Sequence, residues 1–228
     1  MRADFDMAVL VVAKAPVPGL AKTRLAATMG NAAAADVAAA ALLDTLDAVA
    51  AAPVAARVVA MTGDLSAASR SAEIRSRLAE FIVIEQRGDD FADRLANAHA
   101  DTSRAVGGLP VVQIGMDTPQ VTAALLVECA TALASADAVL GPARDGGWWV
   151  LGLTDATAAE CLRGVPMSTA ETGAATLAAL RATGLGVAEV SQLADVDTVD
   201  DIEVVGRECL PDSRFRQVTL AMEVERAG

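Results

Sequence analysis

The two lysines of this 228-residue chain, Lys14 and Lys22, both fall in one stretch, Lys14-Ala-Pro-Val-Pro-Gly-Leu-Ala-Lys-Thr-Arg-Leu25. Two prolines keep its first half out of a helix, and Gly19 admits a positive φ. Lys22, Thr23 and Arg24 then fall at what reads as the first turn of a helix. Cations and backbone N–H groups gathered after a buried strand can hold phosphate oxygens. A plain turn with solvated cations would leave the same pattern. On a regular helix Lys22 and Arg24 would point about 200° apart, so a shared phosphate site requires the helix to begin at or after them. Neither G-x-x-x-x-G-K-[ST] nor G-x-G-x-x-G is present, which excludes two common nucleotide loops.

Carboxylates supply the complementary chemistry. Asp117 lies in Gly115-Met-Asp-Thr-Pro119, just past an apolar run, where it could bind Mg²⁺ or Mn²⁺. The competing reading is a helix start, with Thr118 as N-cap and Pro119 as first helical residue. Asp195 and Asp197 alternate, so an extended backbone turns both to one side, where they could hold a divalent ion. A capping box from Thr198 to Asp201 accounts for Asp200 and Asp201 but leaves Asp195 unexplained. Asp145, Gly146 and Gly147 precede Trp148 and Trp149; the glycines would let backbone N–H groups approach a ligand, while the tryptophans suit a core. Ser168 and Glu171 have the spacing of another capping box. His99, the one histidine, falls mid-helix and reads as a satisfied structural residue.

Alternating patterns must position these groups. The runs 7–13, 111–114 and 136–140 are apolar without alternation and read as strands buried in one sheet, and 54–62, 81–85, 148–153 and 186–190 read as further strands. Helical stretches fall before Gly30, from an Asn31 cap to Ala52, and over 65–79, 91–106, 120–135, 155–163, 171–183 and 198–208. The tail from Pro211 has no clear pattern. This alternation implies an α/β fold with a mostly parallel sheet and right-handed crossovers. The link 141–147 is too short for a crossover, so the sheet should be mixed. With no linker or repeat, 1–228 is expected to form one domain with its core at about 7–208.

A formal net charge of −12 argues against nucleic acid or anionic membranes as partners, so an anionic substrate would need a local basic pocket. Cys129, Cys161 and Cys209 lack zinc or disulfide spacing and suit buried positions in a reduced cytoplasm. Asp4 and Asp6 precede only a short apolar run, unlike a signal peptide, and aspartates interrupt the alanine-rich 32–52 segment that comes nearest to a membrane span.

The four motifs at 14–25, 115–119, 141–147 and 195–198 together resemble the bacterial DUF2064 family, glycosyltransferase-like members of the nucleotide-diphospho-sugar transferase (GT-A) superfamily. More distantly they resemble the phospholactate, phosphoenolpyruvate and molybdenum-cofactor guanylyltransferases. The resemblance spans about 7–205. It implies a Rossmann-like GT-A domain and a transferase that uses a nucleotide donor with Mg²⁺ or Mn²⁺ and a small-molecule acceptor. Glycosyl transfer from an NDP-sugar is the leading expectation and nucleotidyl transfer the alternative; a non-catalytic nucleotide-binding protein is a third. By position, Lys14, Gly19, Lys22, Thr23 and Arg24 would bind the nucleotide. Lys22 and Asp117 would be catalytic, Asp117, Asp195 and Asp197 would hold the metal, and Asp145, Gly146 and Gly147 would face the acceptor. Trp148 and Met167 replace the tyrosine and tryptophan usual in that family, which separates this acceptor pocket from its relatives'.

Overall fold

The computed structural model describes residues 5–227. Asp4 and the extreme ends of the 1–228 span lie outside them. β1 (Phe5–Lys14) leads through α1 (Thr23–Met29) and α2 (Asn31–Ala51) to β2 (Val54–Thr62). A 3-10 turn (Leu65–Ala67) and α3 (Ser71–Leu78) precede β3 (Ile82–Glu85), and α4 (Phe91–Ala105) leads to β4 (Val111–Gly115). Then come α5 (Ala123–Leu133), β5 (Ala138–Pro142), β6 (Trp148–Leu153) and a 3-10 helix (Ala156–Gly164). α6 (Thr172–Ala182), β7 (Val187–Glu189), α7 (Val199–Glu208) and α8 (Arg214–Ala227) complete the order.

All seven strands form one sheet, ordered β3-β2-β1-β4-β6-β5-β7. β6 runs antiparallel to both neighbours and the other pairings are parallel, so the short 141–147 link does make the sheet mixed. The chain leaves β1 toward β2 and returns across it to β4. That reversal opens a crevice beyond the carboxyl ends of β1 and β4, the place where open α/β sheets bind ligands. β1 is unbroken in hydrophobicity because both its faces are covered. Val9 and Val11 pack with Leu42, Leu43 and Leu46 of α2, while Leu10 and Val12 pack with Leu95 and Ala98 of α4.

Local chemistry moved several boundaries. The expected 65–79 helix is split, because Asp64 caps a single 3-10 turn through the Ser66 N–H before α3 begins at Ser71. The 155–163 segment winds as a 3-10 helix. Asn31 is the first helical residue rather than the cap; Gly30 takes that place at φ 85. The patternless tail forms α8, held by Asp44, which accepts the Arg214 and Phe215 N–H groups, and by the fully buried Phe215.

His99 is fully buried, and its polar neighbour, Gln113, makes no well-formed hydrogen bond to either ring nitrogen, so it is structural and poorly satisfied. Burial holds its pKa down to about 4, only partly opposed by the neighbouring Gln113. The folded protein therefore resists protonating a group that protonates near 6.5 when unfolded. This contribution is intact above 6.5 and lost as pH falls toward 4. Between pH 7 and pH 5 the wild type should lose about 2 kcal/mol that a His99→Gln variant does not lose. Urea melts of both proteins at the two pH values read this difference, and equal losses would refute it. Of the three cysteines expected to be buried, Cys129 and Cys209 are buried free thiols pushed up to about 12 by that burial, whereas Cys161 is only half-buried. Among the described residues no helix is long and apolar enough to cross a membrane.

Candidate active site

The crevice is a cleft of about 1110 Å³ bordered by the 14–24, 115–118, 143–149, 167–172 and 194–198 segments. Lys22 is its centre. Its backbone is left-handed (φ 48, ψ 51), and α1 begins one residue later. α1 thus begins between the two cations rather than after both: Lys22 lies outside the helix and Arg24 in its first turn, and both still reach the Asp197 carboxylate. A non-glycine residue in this conformation is strained, and such strain persists where surrounding contacts hold it. Here they do. The Lys22 ammonium donates to the Val196 carbonyl and pairs with Asp117 Oδ2 at 3.0 Å and Asp197 Oδ1 at 3.3 Å. Burial works against its charge, but the two carboxylates outweigh burial and hold its pKa above the ordinary lysine value.

Asp117 is not part of a helix start. Thr118 and Pro119 form a turn closed by the Val121 N–H, and the N-cap of α5 is Thr122, whose Oγ1 accepts from Leu125. The chain continues four residues further than the Thr-Pro signal suggested. Asp117 therefore gains nothing from a helix N-terminus, and its Oδ1 is buried with no partner. The Asp117 carbonyl accepts the Val196 N–H, joining this loop to the acidic one. There, Val196 is buried while Asp195 and Asp197 flank it, as alternation requires. Asp201 accepts the Thr198 and Asp197 N–H groups, so the cap does account for Asp201 and leaves Asp195 and Asp197 over. Asp195 is pushed up to about 6 by burial, then by the charges of Asp145 and Asp197.

The expected nucleotide and acceptor residues divide. Lys14, Lys22, Thr23 and Arg24 line the cleft; Gly19 (φ 81) does not, and shapes the loop against Asn31. Lys14 donates to the Leu20 carbonyl, tying the loop's two ends together. Asp145 and Gly147 line the cleft, but the two glycine N–H groups are engaged internally, by the Ala143 carbonyl and Asp145 Oδ1. The Gly146 carbonyl accepts the Gly173 N–H, and a side chain at Gly146 would run into the Ala170 carbonyl. Close packing on α6, rather than close approach to a ligand, is the reason for glycine here. Ser168 is no cap: it has φ 59, and Glu171 precedes α6. Trp149 is in the core and donates to the Ser191 carbonyl, whereas Trp148 is half-buried and donates to Thr176. Arg94, in the cleft wall, was not singled out by the sequence; a lone arginine within an amphipathic helix carries no signal there.

Whether these residues suit a divalent ion is decided by the unpaired Asp117 Oδ1 and by the surplus negative charge around Asp195. Asp117 pairs with Lys22 through Oδ2 but has a free Oδ1, and Asp195 faces the charges of Asp145 and Asp197; as hard oxygen donors they fit. Among the described residues, no three Asp, Glu, His or Cys side chains are close enough together to form a ready cage. The Lys22 ammonium between Asp117 and Asp197 provides a physical reason, since it already neutralises that pair.

The model of a bacterial protein family, described as "uncharacterized protein conserved in bacteria (DUF2064)", matches residues 45–169, which is more than half of the chain. The chain belongs to the DUF2064 family. That match includes the Asp117 and Asp145 loops and stops short of the Lys22 and Asp195 loops. The crystal structure of a "putative nucleotide-diphospho-sugar transferase" from Desulfovibrio desulfuricans G20 is similar over the whole DUF2064 chain. It is 26% identical, with 97% of this chain and 96% of that one covered and a TM-score of 0.82. Two more distant structures share the fold. One is Rv0371c from Mycobacterium tuberculosis H37Rv in complex with manganese, at 19% identity, 87% and 97% coverage and a TM-score of 0.53. The other is a cytidylyltransferase from Leptospira borgpetersenii, at 13% identity, 98% and 96% coverage and a TM-score of 0.56. Among curated proteins none matches this chain. The expected Rossmann-like nucleotide-sugar transferase architecture and the expected family are therefore both found.

Proposed function

We propose that this DUF2064 protein is a metal-dependent transferase that uses a nucleotide donor, with residues 1–228 acting as one domain, and that it moves a glycosyl group from an NDP-sugar to a small acceptor. The observation that carries the reading is Lys22, a strained, nearly buried ammonium shared between Asp117 and Asp197 at the sheet's reversal point. A cation held so firmly in a cleft with further unpaired carboxylate oxygens suits a diphosphate that arrives with its own counter-ion. The similarity to a protein described as a nucleotide-diphospho-sugar transferase supports the donor class.

In this reading Lys22 and Arg24 neutralise the departing diphosphate, and Lys14 holds the loop that presents them. Asp117, Asp195 and Asp197 would hold Mg²⁺ or Mn²⁺, which supplies charge neutralisation at the phosphate oxygens. The acceptor oxygen bonds to the anomeric carbon as the bond from that carbon to the diphosphate oxygen breaks. Asp145, with Oδ1 held by the Gly147 N–H, is placed to accept the acceptor's proton on Oδ2. Nucleotidyl transfer is the second reading. It is favoured by carboxylates standing on two loops, Asp117 on one and Asp195 with Asp197 on the other, which suits in-line attack at phosphorus.

Thermal-shift measurements with NTPs and NDP-sugars, each with Mg²⁺ or Mn²⁺, come first; the stabilising donor is then followed by product analysis. Release of an NDP is expected. Pyrophosphate release would move the assignment to nucleotidyl transfer, and no stabilisation by any nucleotide with metal would end both readings.

A further inference from the structure

Two cations in the cleft lining, Lys14 and Arg94, have no ionic partner among the described residues; Lys14 donates to the Leu20 carbonyl, and Arg94 has no such tie at its Nε–H. Arg94 is the fourth residue of α4, its guanidinium lies over the Phe91 ring at 5.8 Å, and its Nε–H is buried without an acceptor. Arg87 and Arg163, nearby in sequence or space, are matched to Asp101 and Asp93. Among the described residues no carboxylate comes within 4.0 Å of Arg94, although Asp90 lies one turn earlier. Asp90 is occupied instead as the α4 cap, accepting the Asp93 N–H. In a chain with 30 acidic residues and a net charge of −12, a guanidinium in a cleft wall without an acid is a selective arrangement. Leaving its Nε–H unpaired is unfavourable, and turning the planar fork onto an anion would satisfy that donor and a second one together.

Location separates this cation from the Lys22 centre. Ala21 and Met116, which flank Lys22 and Asp117 in sequence, belong to the apolar cluster on the α2 side of the sheet. Leu95, Trp148 and Met167 belong to the cluster on the α4 side, and all three line the cleft with Arg94. Beside these apolar residues the cleft lining carries the uncharged polar Gln86, Gln113, Ser168 and Thr169, which suits a compact ligand with one charged end.

We propose that Arg94 forms a second anion subsite on the α4 side of the cleft, taking a carboxylate or phosphate group carried by the acceptor. That the ligand is an acceptor rests on the transferase reading above; that an anion binds Arg94 does not. The test follows the ¹H–¹⁵N signal of the Arg94 Nε–H, assigned by its disappearance in Arg94→Gln. Inorganic phosphate and glycolate are titrated separately, at constant ionic strength, into wild type, Arg94→Gln, Arg94→Lys and Lys22→Gly. At least one anion should shift the signal saturably in wild type and with similar affinity in Lys22→Gly. Arg94→Gln and Arg94→Lys, which lack that signal, are compared with wild type by calorimetric titration of the same anion, in which Arg94→Gln should weaken binding roughly tenfold or more and Arg94→Lys should fall between the two. A response to phosphate alone assigns a phosphorylated ligand, and to glycolate alone a carboxylate. An unmoved signal with both anions, or a shift that vanishes in Lys22→Gly, would overturn the subsite. Mg²⁺-nucleotide binding, measured on the same proteins, should persist in Arg94→Gln. Its absence from wild type would sink the transferase reading while leaving the Arg94 result standing.

Discussion

Replacing Lys22 by glycine should weaken Mg²⁺-nucleotide binding ten- to a hundredfold while the protein stays folded. The magnitude follows from a charge-assisted contact to phosphate, worth roughly 1.5–3 kcal/mol. Glycine is the informative replacement because φ 48 costs it nothing, whereas alanine would keep the left-handed strain and lose the contacts that hold it. The long-range field of a protein at −12 repels a nucleotide, so local cations must provide the attraction. Lys22 is the best placed of them, at 10% side-chain exposure against 74% for Arg24, where water screens the charge. Lys22→Arg should recover only part of the affinity, since a planar fork cannot reproduce a three-way ammonium contact. Calorimetric titration with Mg²⁺-nucleotide measures this. Equal affinities in wild type and Lys22→Gly, at unchanged melting temperature, would reduce Lys22 to a structural tie between two loops and remove the main support for the proposed donor.

How far the sequence discloses this site depends on how local each cause is. The run 7–13 identifies β1 because a strand covered on both faces needs no alternation, and the short 141–147 link identifies a mixed sheet because no crossover helix fits in it. Val196 between Asp195 and Asp197 is equally local: a buried residue in an extended segment turns its neighbours the same way. The misread positions are those where a motif for local structure competes with tertiary contacts. Thr118-Pro119 has good helix-start chemistry, yet the chain continues to Thr122 because the Asp117 loop is bonded to the Val196 backbone, far away in sequence. Gly146 and Gly147 look like a ligand loop because sequence cannot show Ala170 and Gly173 packed against them. The left-handed backbone of Lys22 was equally invisible. It follows from three partners contributed by residues 117, 196 and 197, none of which is near Lys22 in the chain.

That same three-way contact gives the second large expectation, in which two substitutions move one affinity in opposite directions. In the proposed transferase, Mn²⁺ bound to the nucleotide-free protein would use the Asp117 and Asp197 oxygens that Lys22 now neutralises. Removing the ammonium in Lys22→Gly should therefore tighten Mn²⁺ binding. Against a divalent ion about 4 Å away, a unit charge contributes about 2 kcal/mol even at the dielectric constant of water, which is roughly thirtyfold in affinity, and more in a partly buried site. Asp117→Asn should act the other way. It removes a donor whose Oδ1 is already buried and unpaired, and a loss of ten- to a hundredfold is the scale expected for disturbing a metal site. Asp195→Asn should also weaken the metal. It additionally relieves the repulsion from Asp145 and Asp197, so its thermal stability should rise or hold while Mn²⁺ affinity falls. Electron paramagnetic resonance of free Mn²⁺ during titration reads all three proteins against wild type without requiring turnover. If Lys22→Gly binds Mn²⁺ no better than wild type and Asp117→Asn binds it no worse, the two carboxylates are a counter-charge for the lysine and nothing more. If the affinities separate as expected, Lys22 occupies charge that a divalent ion competes for, and an arriving diphosphate would draw the ammonium toward itself as the ion takes over Asp117 and Asp197.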